Sequence, residues 1–360
     1  MSRGKFSYSK RVLGLSKRYN SMRVLVTGSQ GYIGTELVKK LILMEYEVVG
    51  LDVGYFVNSR LDTHEEDKSI KLDLREQESL DLKDYDAIIH LAALSNDPLG
   101  EIDQDVTFAV NRDAAIKLAV RARNQGVSRF IFVSTQSIYG ISDSLAELRE
   151  DAPKNPITAY ARSKWEAEQE ILGMSTKDFS TVAVRPSTVF GWGSRIRNDI
   201  IFNNMILSGL KSGKIEVHTD GTPHRPIIHI SDVINFFVLL LRAPTQLVEG
   251  QAYNLGLIGG NYTVLEIAQA ASKCLGGVPI IVNTENLTDP RSYKVSFEKA
   301  KDELNFVADK TLEYGGAEII EKFGELIEPK RMKYFQDCSR LSVLRNLINS
   351  GQLQSDLRWV

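Results

Sequence analysis

The sequence predicts a two-lobed α/β protein in which a doubly wound parallel sheet precedes a smaller C-terminal lobe. Between residues 23 and 190, short runs of β-forming residues alternate with stretches of helical periodicity, which is typical of a parallel sheet with helices on both faces. Residues 87–93 are almost continuously apolar, as expected of a strand that is covered on both sides. Ligands of such sheets bind beyond the carboxyl ends of the strands, so a site is expected there.

The composition is typical of a globular protein and excludes several classes of function. Of the 360 residues, 43% are hydrophobic and 25% are charged, and the net charge of −2 gives no reason to expect a nucleic-acid partner. No apolar run reaches the roughly 18 residues of a membrane span. Cys274 and Cys338 lie far apart and the five histidines form no HExxH motif, so neither a disulfide framework nor a metal site is expected. This cysteine usage fits a reducing, cytoplasmic setting.

A glycine-rich turn follows the first expected strand. Gly28, Gly31 and Gly34 recur at three-residue intervals between a strand-forming run and a helical stretch. In a dinucleotide-binding turn, these glycines permit a tight turn, a close approach of the phosphates and close helix–strand packing. The helix N-terminus adds unpaired N–H groups and the positive end of its dipole. Alone, the spacing also fits a turn without a ligand. Together with the motifs below, it predicts a Rossmann-type pyrophosphate site.

An acidic residue ends the second expected strand. Asp52 lies close to the roughly 20-residue offset at which an acid hydrogen-bonds the adenosine ribose of a dinucleotide. A carboxylate at this position would repel a 2′-phosphate, which favours NAD over NADP. The alternative is an aspartate that only starts a turn, since aspartate is common in turns.

Tyr160 and Lys164 occupy one face of an expected helix, one turn apart. A phenol with a pKa near 10 is a weak base at neutral pH, but a nearby ammonium group and an oxidised nicotinamide would favour the phenolate. Ser134 and Thr135 end the preceding strand, where a hydroxyl group can align a substrate alcohol. The motif is weak by itself, and a surface tyrosine with a solvated lysine is the alternative. The dinucleotide turn upstream argues against that alternative.

The secondary structure expected around these motifs follows from hydrophobic periodicity. Strands are expected at residues 24–26, 46–52, 70–74, 83–93 and 127–134. Helices are expected at residues 35–44, 113–125, 160–170, 233–241, 316–326 and 341–347.

In these motifs the chain resembles the extended short-chain dehydrogenase/reductase family, in particular its nucleotide-sugar epimerases and dehydratases. The resemblance covers about residues 23–310. It rests on the motifs Thr27-Gly28-x-x-Gly31-x-x-Gly34, His90-Leu-Ala-Ala93, Asn111, Ser134-Thr135-x-x-Ile138-Tyr139-Gly140, Tyr160-x-x-x-Lys164 and Arg185-Pro186-x-x-Val189-Phe190-Gly191. These motifs are specific for family and fold, and much less so for substrate or reaction. The resemblance implies NAD as cofactor, a nucleotide-diphosphate sugar as substrate, and a homodimer.

The resemblance also implies the roles of individual residues. Tyr160 would be the catalytic base, and Lys164 would lower its pKa and bind the nicotinamide ribose. Thr135 matches the catalytic hydroxyl of the family, with Ser134 as the neighbouring candidate. The residues expected to bind the cofactor are Gly28, Gln30, Gly31, Tyr32, Ile33, Gly34, Asp52, Asp73, Leu74, Leu91, Ala92, Ala93, Asn111, Tyr160, Lys164, Pro186 and Val189. The residues expected to bind the substrate are Gln136, Ser137, Asn203, Arg225, Arg291 and Arg197.

The arginines in this set are expected near the nucleotide diphosphate. A planar guanidinium grips phosphate oxygens in a bidentate manner, which suits this role better than lysine. Arg225 matches the family arginine that contacts the nucleotide diphosphate, and Arg291 resembles a later family arginine near the same phosphates. Arg197 lies where members of the family approach the sugar and diphosphate. For each of them, a solvated surface charge or a structural ion pair is the alternative, since most arginines lie on the surface.

One departure from the family pattern bears on the reaction. Family members that eliminate water carry an Asp-Glu pair after the threonine, whereas this chain has Gln136 and Ser137. A glutamine amide cannot protonate a leaving hydroxyl, and serine is a poor base without activation. The departure counts against a 4,6-dehydratase.

The expected function is an NAD-dependent nucleotide-diphosphate-sugar epimerase. Tyr160 would remove a proton from a sugar hydroxyl while hydride passes to the nicotinamide, and a transient 4-keto sugar would then turn and take the hydride on its other face. The first alternative is an NAD(P)H-dependent 4-keto sugar reductase or a dehydratase. The second is a non-catalytic dinucleotide sensor or scaffold, although such proteins often lose the tyrosine or the lysine.

Four segments are expected along the chain. Residues 1–21 are basic and contain no acid, which predicts a disordered extension, although a transit segment or an upstream start codon also fits. Residues 22–190 form the NAD-binding domain, with a return segment near 225–256. Residues 191–310 mainly form the substrate-binding lobe. Residues 311–360 form a helical extension to which the sequence assigns no function.

Overall fold

The structure, a computed structural model, describes residues 22–61, 68–141, 146–283, 292–326, 331, 334–335 and 339–360. The extension at residues 1–21, Arg291 and Cys338 lie outside the described residues.

The strands of the described residues belong to three sheets. They are β1 (Arg23–Thr27), β2 (Glu47–Asp52), β3 (Ser69–Lys71), β4 (Ala87–His90), β5 (Arg129–Val133), β6 (Ser180–Pro186), β7 (Thr188–Phe190), β8 (Ile215–Val217), β9 (His224–His229), β10 (Gln251–Leu255), β11 (Asn261–Thr263) and β12 (Ile280–Val282).

The α-helices of the described residues alternate with these strands. They are α1 (Tyr32–Leu43), α2 (Asp97–Gly100), α3 (Gln104–Phe108), α4 (Ala114–Asn124), α5 (Ala159–Gly173), α6 (Ile201–Ser212), α7 (Ile230–Arg242), α8 (Thr245–Val248), α9 (Val264–Cys274), α10 (Glu298–Leu304), α11 (Leu312–Gly324) and α12 (Arg340–Asn349). Short 3₁₀-helices occur at Val57–Ser59, Leu74–Ser79 and Gln136–Tyr139, and a π-helical turn at Ala109–Asp113 joins α3 to α4.

The larger lobe is built on a seven-stranded sheet with the order β10-β6-β5-β4-β1-β2-β3. Every pair of neighbouring strands is parallel. The chain runs outward from β1 to β3 on one side and from β4 to β6 on the other, so the order reverses between β1 and β4. A crevice opens at such a reversal, beyond the carboxyl ends of the strands. The predicted fold class, a Rossmann-type doubly wound sheet, is confirmed.

Helices cover both faces of this sheet because its central strands are apolar on both sides. Val24 and Val26 pack into the core that contains α1 and α7, whereas Leu25 packs into the core that contains α4 and α5. All three side chains are fully buried. This alternation explains why the strands lack the polar face of a half-exposed sheet.

Among the described residues, the second lobe contains two small sheets and the helices α6, α9 and α11. Strands β11, β9 and β7 form one sheet, and β12 pairs with β8 in the other. Phe202 of α6, Ile267 of α9 and Ile319 of α11 belong to the same buried cluster as Val24 of β1. The two lobes therefore share one hydrophobic core.

Residues 339–360, called the C-terminal segment below, return to the larger lobe. Helix α12 and the residues after it bury Leu344, Leu353 and Leu357 in a cluster that also contains Tyr55 and Leu94, from the loops after β2 and β4. The sequence predicts the helix but not the surface on which it packs.

Two predicted strands are shorter in the structure. Of residues 83–93, only Ala87–His90 pair in the sheet, because the chain then bends away after the Leu91 N–H donates to the Thr27 carbonyl (3.1 Å). Of residues 70–74, only the first part is strand, because Asp73 accepts a hydrogen bond from the Arg75 N–H and caps a 3₁₀-helix. Both bends turn side chains toward the crevice.

Within the part of the chain that the structure describes, no helix combines the length and apolar character of a membrane span.

Candidate active site

A cavity of about 670 Å³ occupies the crevice beyond the carboxyl ends of the strands. Its volume is in the range of small-molecule sites. The predicted site residues that line it are Gly28, Gly31, Tyr32, Ile33, Gly34, Asp52, Asp73, Leu74, Leu91, Ala92, Ala93, Ser134, Thr135, Ser137, Tyr160, Lys164, Pro186, Val189, Arg197 and Arg225. Residues far apart in the sequence thus meet around one space.

The glycine turn forms one wall of the cavity, and its shape requires glycine. Gly28 has φ +71°, and a Cβ atom there would lie 2.7 Å from the Ala92 nitrogen. At Gly34, a Cβ atom would lie 2.1 Å from the Gly28 carbonyl oxygen. Helix α1 begins directly after Gly31, and no side chain caps its N-terminus. Its first N–H groups can therefore bind an anion such as a diphosphate.

Asp52 at the end of β2 is held with its carboxylate at the cavity wall. Its Oδ2 accepts a hydrogen bond from the Gln30 N–H (3.1 Å) and its Oδ1 from the Gly54 N–H (2.8 Å). Burial raises the pKa of Asp52, while these two N–H groups act in the opposite direction. A carboxylate in this position can accept hydrogen bonds from ribose hydroxyls.

Two buried hydroxyl groups at the same cavity lack a protein partner among the described residues. Ser134 and Ser187 are 3% and 5% exposed, and neither Oγ has a hydrogen-bonding partner there. Buried polar groups are normally paired, so a ligand rich in hydroxyl, amide and phosphate groups would satisfy them. With the glycine turn and Asp52, these hydroxyls fit a dinucleotide.

Tyr160 lies in the first turn of α5 and faces the cavity. Thr158 caps this helix, since its Oγ1 accepts from the Ala161 N–H (3.1 Å) and donates to Asp97 Oδ1 (2.5 Å). Gly100 of α2 packs against Tyr160, and a Cβ atom at this glycine would lie 3.0 Å from the tyrosine Cβ. The cap and the close packing fix the position of the ring.

The protein surroundings alone do not make Tyr160 a strong base. Burial raises the pKa of Tyr160 to about 12, although a hydrogen bond with Thr135 and the charge of Arg197 act to lower it. The contact with Thr135 is the one expected of a catalytic hydroxyl pair. A phenolate at neutral pH would require further positive charge next to the ring.

Lys164 follows one turn later on the same helix and is only 2% exposed. Its Nζ lies 4.1 Å from the centre of the Phe132 ring, which gives a cation–π contact. Burial lowers the pKa of Lys164 to about 7, and Glu168 counteracts part of this effect. The ammonium group is therefore poised to change protonation near neutral pH.

Glu168 is in turn held by a buried arginine. Arg185 donates from Nε to Glu168 Oε1 (3.0 Å) and from a terminal nitrogen to the same oxygen (2.5 Å). Both side chains are at most 3% exposed. Arg185 also donates to the Tyr139 hydroxyl (3.0 Å). This network anchors α5 to β6 of the sheet, one helical turn after Lys164.

Three residues predicted to bind a ligand form hydrogen bonds within the protein, and their contacts with a ligand stay predictions. Gln136 is 1% exposed and lies away from the cavity, since its amide donates to the carbonyls of Arg185 (2.9 Å) and Leu255 (3.2 Å). Asn203 is fully buried, and its Oδ1 accepts from the Gly191 N–H (3.0 Å). The Tyr32 ring does line the cavity, but its hydroxyl donates to the Gly191 carbonyl (2.7 Å). The Gln136 amide nitrogen, the Asn203 Oδ1 and the Tyr32 hydroxyl thus each pair with a backbone group, whereas the Gln136 Oε1 has no partner among the described residues.

Asn111 and Gln30 also act through the backbone rather than at the cavity wall. Asn111 lies in the π-helical turn, accepts from the Leu94 N–H (2.8 Å) and donates to Ser163 Oγ (3.3 Å). The Gln30 N–H donates to Asp52, and its carbonyl accepts from Arg195 (2.6 Å). Neither residue is among the described residues that line the cavity, and their role in cofactor binding stays a prediction.

The structure adds lining residues that the sequence motifs did not predict. They are mainly polar and come from the loop after β4, the loop before α6, the β8 region and the C-terminal segment: Ser95, Asn96, Asp97, Arg195, Asn198, Asp199, Glu216, His218, Thr219, Tyr293 and Arg340. Asp199 forms a bidentate ion pair with Arg197 (2.8 and 2.6 Å). Residues 95–97 form a polar run after a buried strand, and residues 195–199 lie in a stretch that resembles the part of the family that approaches the sugar and diphosphate, so both offered a sequence signal.

Comparisons with known proteins agree with this site. The model of the NAD dependent epimerase/dehydratase family matches residues 24–256. UDP-glucose 4-epimerase of Bacillus subtilis is 28% identical over 327 residues, which cover 81% of this chain and 94% of the relative. The structure of MoeE5 in complex with UDP-glucuronic acid and NAD is similar with a TM-score of 0.70 and 28% identity, over 83% of this chain and 98% of that one.

A UDP-glucose 4-epimerase structure from Thermotoga maritima has the same fold, with a TM-score of 0.75 at 20% identity, over 84% of this chain and 99% of that chain. The family match covers more than half of the chain and includes the glycine turn, Asp52, Tyr160 and Lys164. The predicted family, fold and dependence on NAD are thus confirmed. The chain belongs to the NAD dependent epimerase/dehydratase family.

Proposed function

We propose that the protein is an NAD-dependent nucleotide-diphosphate-sugar epimerase that acts through a transient 4-keto sugar. The observation that supports this most is that Tyr160, Thr135 and Lys164 line the same cavity as the glycine turn, with a hydrogen bond between Tyr160 and Thr135. The relatives named as UDP-glucose 4-epimerases and the neighbour with UDP-glucuronic acid and NAD support the same substrate class.

In this proposal, Tyr160 takes the proton of a sugar hydroxyl and later returns it. Thr135, which hydrogen-bonds Tyr160, aligns that hydroxyl. NAD, when bound, supplies a nicotinamide that accepts and returns hydride, and its positive charge favours the phenolate. Lys164 adds positive charge on the same side, and the apolar surroundings of Phe132 keep water from the reacting groups.

The second lobe would hold the nucleotide diphosphate as a fixed handle while the sugar turns. Arg225 of β9 and Arg197 both line the cavity on this side. Arg197 also lies close enough to Tyr160 to lower its pKa, so the diphosphate end and the reacting end of the cavity are adjacent. Binding energy from the nucleotide would thereby orient the sugar ring.

An elimination of water is less consistent with the geometry. Gln136 is turned into the protein and holds two backbone carbonyls, and it occupies the position at which water-eliminating members of the family carry an acid. Ser137 does line the cavity, but a serine hydroxyl is a poor base without an activating partner. Residues 136 and 137 therefore do not supply the acid–base pair of such an elimination.

The proposal is tested with purified protein and two probes, UDP-glucose and UDP-glucuronic acid, without added reductant. Conversion of either probe into its C4 epimer, detected by proton NMR and by chromatography of the sugars, is the expected result. Consumption of added NADH with a 4-keto sugar nucleotide, without interconversion, would contradict the epimerase and establish a reductase. Absence of both activities with tight NAD binding would favour a sensor.

We further propose a homodimer that works in the cytoplasm. The resemblance to the family supports the dimer, which would form through helices of the NAD-binding domain, and the cysteine usage of the chain supports a reducing compartment. Light scattering coupled to gel filtration should give twice the mass of 40.3 kDa. A mass equal to one chain would rule out the dimer.

A further inference from the structure

We propose that the C-terminal segment is part of the cofactor site, and that Arg340 binds the diphosphate of the dinucleotide together with Arg195. Arg340 is the first residue of α12 and lines the same cavity as the glycine turn. The family model ends at residue 256, so this contribution lies outside the part of the chain that the family match describes. The inference deepens the proposed function and rests on its NAD-binding part only.

The part of the cavity lined by Asp52, Asp73 and Leu74 is called the adenosine end below. The C-terminal segment is fixed to it by hydrogen bonds as well as by its apolar core. Trp359 donates from Nε1 to the Val53 carbonyl (2.8 Å), and Tyr55 donates from its hydroxyl to the Leu357 carbonyl (2.5 Å). Both contacts lie directly after Asp52, whose carboxylate lines the cavity. Movement of the segment would therefore disturb the end of β2.

A second set of contacts joins the segment to the region after β3. Arg75 donates to the Asp356 carbonyl (2.7 Å) and, through its other nitrogens, to the carboxylate of Asp73 (2.5 to 3.1 Å). Asp73 and Leu74 line the cavity where the adenine is expected. The segment thus frames the adenosine end from two sides.

Arg340 extends from this fixed segment toward the cavity. It donates to Ser95 Oγ (2.7 Å), in the loop after β4, and its guanidinium lies 5.3 Å from the centre of the Phe56 ring. The guanidinium of Arg195 lies 5.1 Å from the same ring. The two arginines therefore converge on one aromatic side chain at the cavity wall.

The charges around these arginines favour an anion. Asp199 forms a bidentate ion pair with Arg197, and the two oxygens of Asp52 accept backbone hydrogen bonds. The Nε of Arg195, a residue that is 5% exposed, has no hydrogen-bonding partner among the described residues. Two further cationic groups thus face the cavity beyond the Arg197–Asp199 pair.

Burial is the largest cause of the pKa shifts of both arginines, and the carboxylates of Asp52 and Asp199 do not fully offset it at Arg340. Burial, and the like charges of Arg197 and Arg195, hold the pKa of Arg340 well below its usual value. Burial likewise lowers the pKa of Arg195 to about 10, and Asp52 offsets only part of this effect. An anion between them would reverse both shifts.

The position of Arg195 indicates which anion this is. Its guanidinium donates to the Gln30 carbonyl (2.6 Å), so it lies on the glycine turn whose helix N-terminus faces the cavity. Arg195 and Arg340 also both interact with Asp52, the predicted ribose ligand. A diphosphate that lies between the helix N-terminus and the ribose would meet both guanidinium groups.

The test compares ligands with and without a diphosphate, using the full chain freed of bound nucleotide. ADP and adenosine are titrated by calorimetry, and ADP binding is counted only where NAD displaces it. We expect Arg340→Gln and Arg340→Met to weaken ADP binding by about 10- to 100-fold, the size of a lost charged hydrogen bond, and to leave adenosine binding within about twofold. Arg340→Lys, which keeps the charge, should lose less.

Arg345→Gln is the matched control, because Arg345 lies on the same helix but is exposed. It should bind ADP and adenosine like the unchanged protein. Circular dichroism and melting curves establish that each variant is folded. Unchanged ADP affinity in both neutral variants would overturn the role of Arg340, and an equal loss for adenosine would show that the segment only shapes the adenosine pocket. Failure of sugar interconversion would leave these binding results unaffected.

Discussion

The catalytic end of the cavity, which contains Tyr160 and Lys164, differs from the adenosine end in the charge of its side chains. At the catalytic end, Tyr160 and Lys164 are buried, and burial shifts the pKa of each toward its uncharged form. At the adenosine end, Arg195 and Arg340 face the cavity close to Asp52. The first arrangement suits proton transfer near neutral pH, and the second suits the binding of an anion.

The comparison also shows how each end is assembled. The catalytic pair lies on one helix, one turn apart, and its capping residue Thr158 is only two positions away. The adenosine end combines the first two strands with the last residues of the chain, through contacts such as that between Trp359 and Val53. A local motif builds one end and long-range packing builds the other.

The largest effect is expected from removing the phenol hydroxyl at the catalytic end, which tests whether Tyr160 transfers the proton. Tyr160→Phe removes the hydroxyl group and keeps the ring, so kcat should fall by about 10³-fold, the typical contribution of a general acid–base group. NAD content, measured by absorbance after denaturation, should stay unchanged. Thr158→Ser is a matched control, because serine caps helices as well as threonine and leaves the phenol in place. If kcat of Tyr160→Phe stays within about tenfold of the unchanged enzyme, the hydroxyl contributes too little to be the general base, and another group must have that role.

Breaking the ion pair between Glu168 and Arg185 should cause the largest loss of stability. Glu168→Gln leaves the buried charge of Arg185 without its partner, so the free energy of unfolding should fall by about 3 kcal/mol. The same change removes the group that raises the pKa of Lys164, so that pKa should fall further. Chemical denaturation measures the first effect, and the pH dependence of kcat measures the second.

A neutral side chain at Lys164 should stabilise the protein while it lowers activity. The pKa of Lys164 is depressed in the folded protein, so the burial cost is greatest below about pH 7 and disappears as the pH rises toward the unfolded value near 10.5. Lys164→Met should therefore raise the free energy of unfolding at neutral pH, by at most roughly 5 kcal/mol at 1.36 kcal/mol per pKa unit. Denaturation curves that show a constant gain at all pH values would contradict a buried, titrating lysine.

The smallest effect is expected at the outer surface of the adenosine end. Arg358 pairs with Glu76 (2.9 Å) and with Asp356, and its side chain is 39% exposed. Because exposed ion pairs contribute little, Arg358→Gln should change the free energy of unfolding by less than about 1 kcal/mol and leave NAD affinity unaltered. A large loss of NAD affinity would mean that the whole segment, and not Arg340 alone, controls the cofactor.

Local patterns predicted the parts of the molecule that local interactions determine. Three of these parts are short-range features. They are the glycine spacing that lets Gly34 approach Gly28, the acid at the end of β2, and the helical spacing of Tyr160 and Lys164. The parallel sheet followed from the alternation of strands and helices, which no other common architecture produces.

The remaining site residues depend on which partner a polar side chain finds after folding. Gln136 and Asn203 carry groups suited to a ligand, but backbone groups of residues 185, 255 and 191 occupy them first. Arg340 reaches Ser95 from 245 residues away in the sequence, a pairing for which no periodicity or motif gives a signal. Sequence patterns therefore predict residue types suited to a site better than they predict which of them face it.

The π-helical turn at Ala109–Asp113 has a consequence for how this chain can tolerate insertions and deletions. Such a turn corresponds to one extra residue in an α-helix, and each residue of a helix advances the side-chain direction by about 100°. Removing one residue before Asn111 would swing its amide away from Leu94 and from Ser163 on α5. The loop that carries Ser95 and the helix that carries Tyr160 would then lose their common anchor, so a single deletion outside the cavity should disturb both of its ends at once.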